Sequence, residues 1–125
     1  MTIKQEIKEE AKIFFLKNKN NILEIRGESM YPALKEGWSA EISPTNEKDL
    51  KIGDIIVFEM KQELAVHRVI GKFYRNGRTY FLQRGDKKSA PCFIESGRII
   101  GRVSRVFDSG NREILPKVWK SPVKT

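Results

Sequence analysis

The chain has one cysteine, one histidine and no long apolar run among its 125 residues. Each shortage excludes something. Cys92 has no partner, so there is no internal disulfide and no cysteine-based zinc site. One His and one Cys cannot build a transition-metal site without several carboxylates, and no metal or other cofactor is expected. The longest apolar run near the N-terminus is Ile13-Phe14-Phe15-Leu16, whereas a membrane helix needs roughly 20 apolar residues. Thr2 to Lys12 is charged throughout, which does not suit a signal peptide. Glycines are scattered. Gly27, Gly37 and Gly53 stand too far apart for a phosphate-cradling loop. No helix-turn-helix, zinc-finger or RNA-recognition signature is present, so nucleic acid is not the expected partner.

What remains is a globular composition, 39% hydrophobic and 32% charged, of a length that suits one domain. The net charge is +8, and residues 98–125 hold seven basic residues against two acidic ones. Such an excess either attracts an acidic partner or simply solvates a face.

Thr2 to about Asn18 reads as an amphipathic helix, within an N-terminal segment 1–20. Ile3, Ile7, Ala11, Phe14 and Phe15 recur at spacings of three and four. That face packs on the domain, or else lies on a membrane surface or a partner helix. From Ile22 the pattern becomes β-rich, giving a core over residues 22–107 and a basic tail over 108–125. Expected strands are Ile22 to Arg26, Ser39 to Ser43, Asp54 to Glu59, Leu64 to Gly71, Lys72 to Tyr74, Arg78 to Leu82 and Arg98 to Phe107. Arg75-Asn76-Gly77 predicts a tight hairpin, because Asn and Gly accept positive φ. No structure is assigned from Asn111 onward. The fold class is therefore mainly β, with an N-terminal helix.

Three short stretches carry chemistry. Gly27-Glu28-Ser29-Met30-Tyr31-Pro32 places a serine after a flexible glycine and before a rigid proline, with Met30 suited to anchor the loop. A serine hydroxyl needs a base to become nucleophilic. His67, 38 residues later in Val66-His67-Arg68-Val69-Ile70-Gly71, accepts a proton near neutral pH in its neutral form. A histidine base needs orientation by a partner on its second ring nitrogen. Asp86, in Arg84-Gly85-Asp86-Lys87-Lys88, is the candidate carboxylate, or else a turn residue paired with Lys88.

The Ser-Met box resembles the nucleophile box of the serine peptidases that include signal peptidases and LexA-type repressor peptidases. Gly27 matches the LexA-like form; many signal peptidases carry a hydroxyl there for the oxyanion, so a second donor beside the Ser29 N–H is not identified. Bacterial signal peptidases and LexA-type enzymes place a Lys at the position of His67. The endoplasmic-reticulum and archaeal signal peptidases place a His, and the chain resembles that branch here. Gly85-Asp86 resembles its Gly-Asp-Asn-Asn box, with both Asn positions replaced by Lys and no further Asp in Ser89-Ala90-Pro91-Cys92. Trp38 stands where an Asp usually follows Gly37, and either lines a groove or fills a core gap. Gly53-Asp54 resembles a structural turn.

The resemblance implies a compact, irregular β-fold and a serine endopeptidase with a Ser29–His67 dyad or a Ser29–His67–Asp86 triad. It implies an extended peptide or protein precursor as substrate, with small side chains flanking the cut. Without a membrane anchor, processing in the cytoplasm or at the membrane surface is expected. The alternative is a decayed, non-catalytic module on the same scaffold, binding an acidic partner or nucleic acid through its basic surface.

Overall fold

A computed structural model of the chain describes residues 21–61, 63–87 and 89–120. The helix expected over Thr2 to Asn18 lies outside the described residues. The described residues are mainly β, as the sequence pattern predicts. Eight strands form one antiparallel sheet: β1 (Ile22–Glu24), β2 (Ser39–Ser43), β3 (Ile55–Met60), β4 (Glu63–Arg75), β5 (Arg78–Arg84), β6 (Cys92–Glu95), β7 (Ile99–Phe107) and β8 (Glu113–Ile114). Their order is β1-β2-β7-β3-β4-β5-β6, with β8 added to β7. A short helix, α1 (Pro116–Trp119), comes after β8.

β3 explains the layering. It is the most apolar strand, Ile-Ile-Val-Phe-Glu-Met, and its first five residues are all buried. Side chains on a strand alternate between faces. Ile55 and Val57 accordingly join one cluster with Ile25, Met30, Leu34, Ile42, Val103 and Trp119. Ile56 and Phe58 join a second cluster with Leu50, Val69, Phe81 and Ile94. The sheet therefore carries apolar packing on both faces.

β4 and β5 form the hairpin that Asn76-Gly77 predicts. Arg75 pairs with Arg78, and Asn76 and Gly77 take φ of 52° and 76°. The two short strands expected at Leu64 to Gly71 and Lys72 to Tyr74 are one strand of 13 residues. A register shift between Val69 and Gly71 absorbs the change in pattern. β6, β8 and α1 were not expected. Trp119 of α1 is 2% exposed, so the tail closes the first cluster.

Candidate active site

The Ser29 loop begins and ends at the same place. The Ile25 N–H donates to the Trp38 carbonyl at 2.7 Å, and the Gly37 N–H donates to the Ile25 carbonyl at 3.0 Å. Between them, Gly27 takes φ +77°, a left-handed conformation that costs other residues strain. A turn comes next, with the Tyr31 N–H on the Glu28 carbonyl and the Leu34 N–H on the Met30 carbonyl. Met30, Ala33 and Leu34 point into the core, each at most 2% exposed. Ser29, the residue before this anchor, is exposed. The alternation supports the reading of Met30 as the loop's buried peg.

The far side of the loop rests on the turn after β5. The Lys87 N–H donates to the Ser29 carbonyl at 2.9 Å. The Lys87 ammonium meets the Glu28 carboxylate at 2.6 Å, holding the Glu28 carboxyl below its usual range and the Lys87 ammonium above its own. Gly85 lies so close that a Cβ there would come within 2.7 Å of the Ser29 carbonyl oxygen. The Ser29 N–H donates to no partner among the described residues.

His67 sits on β4 opposite Ile56. Its ring meets Phe58 edge-on, centroids 5.7 Å apart. Its Nδ1 lies 2.6 Å from Oε1 of Gln83, which is 3% exposed. When the amide oxygen accepts, Nδ1 carries the proton and Nε2 keeps its lone pair. Ser29 and His67 both line a cleft of about 490 Å³, with Leu23, Ile25, Met30 and Leu64 among its other walls. No direct Ser29–His67 hydrogen bond is formed in this structure.

Asp86 stands elsewhere. Its two oxygens accept from Nε and Nη2 of Arg68, at 2.8 and 2.7 Å. The expected Asp86–His67 contact gives way to this buried pair, and the alternative partner Lys88 lies outside the described residues. The reason is alternation: His67 and Arg68 are neighbours on one strand and face opposite sides. A group placed to bind Arg68 is on the wrong side for the His67 ring. Gln83 holds the position instead. The sequence carries a trace of it, since Thr79, Phe81 and Gln83 are the three inward residues of β5. A polar residue at an inward position needs a buried partner.

Gly53-Asp54 is the structural turn expected: Asp54 accepts from the Lys51 N–H at 2.9 Å. Trp38 packs against the first core cluster, under the Lys35 ammonium, and is not among the cleft residues. Much of the C-terminal basic excess is paired. Arg98 meets Glu59, Arg102 meets Asp54, and Arg105 meets both Glu41 and Glu113. Among the described residues no His, Cys, Asp and Glu group could hold a metal, and no helix is long and apolar enough to cross a membrane.

Compared with known families, residues 1–104 match the family described as Peptidase S24-like. No curated protein matches the chain.

Proposed function

The chain belongs to the Peptidase S24-like family, and on that premise we propose that it is a serine endopeptidase of the Ser/His type, acting on a peptide or protein precursor. The observation that carries the reading is the shared cleft: an exposed serine on an anchored loop, and a histidine whose Nδ1 is held so that Nε2 is the basic nitrogen. Ser29 Oγ attacks the peptide carbonyl and His67 Nε2 takes its proton. The imidazolium then protonates the leaving amine, and water hydrolyses the acyl-enzyme by the same route. Catalytic hydrogen bonds are commonly long before substrate binds, and the Ser29–His67 bond forms with the substrate in place. The Ser29 N–H supplies one donor to the oxyanion.

Strand edges support an extended substrate. Among the described residues β1 ends the sheet, and β5 pairs with β4 only from Arg68 onward. The outer edge of Leu64 to His67 therefore faces the cleft beside Leu23 to Arg26. Main-chain groups on both edges are suited to pair with a peptide laid between them. The alternative of a basic binding surface loses support from the pairing of Arg98, Arg102 and Arg105 with carboxylates.

A fluorophosphonate probe tests the reading. Labelling is expected at Ser29, absent in Ser29→Ala and at least about 100-fold slower in His67→Ala. An unlabelled wild-type chain, or equal labelling in His67→Ala, would overturn it.

A further inference from the structure

The region matched by the family ends at residue 104, within β7. The C-terminal segment beyond β7 is tied to the site through one side chain. Arg68, 2% exposed, has five N–H groups, and all five are bonded. Nε and Nη2 hold Asp86. Nη1 donates to the Gly53 carbonyl at 2.8 Å and to the Lys120 carbonyl at 2.9 Å. Nη2 also donates to the Trp119 carbonyl at 3.0 Å. The end of α1 thus supplies two of the acceptors that fix Arg68. Arg68 is the neighbour of His67, and Asp86 is the neighbour of Lys87, which holds the Ser29 carbonyl.

We propose that the end of α1, Trp119 and Lys120, is a working part of the active site, a clasp that fixes Arg68 and, through Asp86, the turn on which the Ser29 loop rests. Arg68 is a positioning residue in this arrangement. The Trp119 indole buried in the first core cluster is the clasp's anchor. The carbonyls of Trp119 and Lys120 are its contacts. Without them, a guanidinium buried at 2% exposure keeps two N–H groups unsatisfied, which is costly enough to move the ion pair. The activity arm of the test rests on the serine-peptidase reading, whereas the backbone arm does not.

Two variants of the full chain separate clasp from bulk stability. Lys120 has φ −76°, which suits proline itself. A proline there disfavours the helical conformation of residue 119 and removes the Lys120 N–H bond to the Pro116 carbonyl. Lys120→Pro therefore shifts both clasp carbonyls while leaving the Trp119 side chain in the sequence. Lys117→Ala, at an exposed position of the same helix, is the control. In Lys120→Pro, amide exchange at Lys87 is expected to speed up at least tenfold, with exchange at Val57 in the central strand unchanged. Fluorophosphonate labelling of Ser29 is expected to slow at least tenfold. Unchanged Lys87 exchange and labelling in Lys120→Pro would overturn the clasp. A wild-type chain that the probe does not label would overturn the peptidase reading, with Lys87 exchange still deciding the clasp.

Discussion

Gly85 shows how a single missing side chain shapes the site. The closest atoms to a Cβ at that position include two from Ser29, its carbonyl oxygen at 2.7 Å and its own Cβ at 3.2 Å. Gly85→Ala is expected to push the Ser29 loop outward and slow probe labelling roughly tenfold to a hundredfold, as misplacing a reacting atom by about an ångström does. Gln83 acts at the same scale. Being neutral, it orients the His67 ring and adds no charge to favour the imidazolium. Gln83→Glu sets a carboxylate there, and the acidic limb of the labelling-rate profile is expected to move to higher pH, while Gln83→Leu slows labelling at all pH values. The Glu28–Lys87 latch has its own pH window. Glu28 is lowered by Lys87, so its contribution is present above its unfolded value and lost as pH falls through the folded one. Lys87 is raised by Glu28, so its contribution is present below its unfolded value and lost as pH rises through the folded one. The latch is thus whole at neutral pH and weakens at both extremes. An NMR titration of the Lys87 amide is expected to lose its acidic step in Glu28→Gln.

At the scale of elements, the hairpin of β4 and β5 is the part most plainly written in the sequence. Asn76-Gly77 demands two left-handed residues, and Gly77→Ala is expected to lower stability by about 1 kcal/mol in urea denaturation, the cost of a Cβ in that conformation. β2 and β3 were legible for a similar reason, since their inward residues recur at period two or run apolar without a break. β8 and α1 were not. Two residues of strand and four of helix are too short to show a period. The forces that hold them are remote: pairing with β7, burial of Trp119 and the Arg68 contacts. In the candidate site, Ser29 and His67 could be singled out as candidates because their boxes are local. The partner of His67 was not, because it depends on which face of β5 and which face of β4 meet.

For the whole molecule, the Arg68–Asp86 pair joins the centre of the sheet, the turn after β5 and the chain's last described residues. Both side chains are nearly excluded from water. Removing one partner strands the other charge in the interior, and Asp86→Asn is expected to cost about 3–5 kcal/mol in urea or thermal unfolding. Ser29→Ala, at an exposed position, is expected to leave the unfolding midpoint nearly unchanged. That contrast would separate a carboxylate that holds the fold from a hydroxyl proposed to serve the chemistry.

β4 carries the proposed base on one face and the structural guanidinium on the other, one residue apart. This places a parity rule on the gene. Between the ladder contacts that fix β4 to β3, a single-codon insertion or deletion would exchange the faces of His67 and Arg68. An insertion would bury an imidazole against Asp86, and a deletion would present an arginine to Gln83. Changes of length along this strand can survive only in pairs or where a bulge absorbs them, as at Val69 and Gly71. The spacing between box and bulge is therefore expected to be far less free to drift than the residues that fill it.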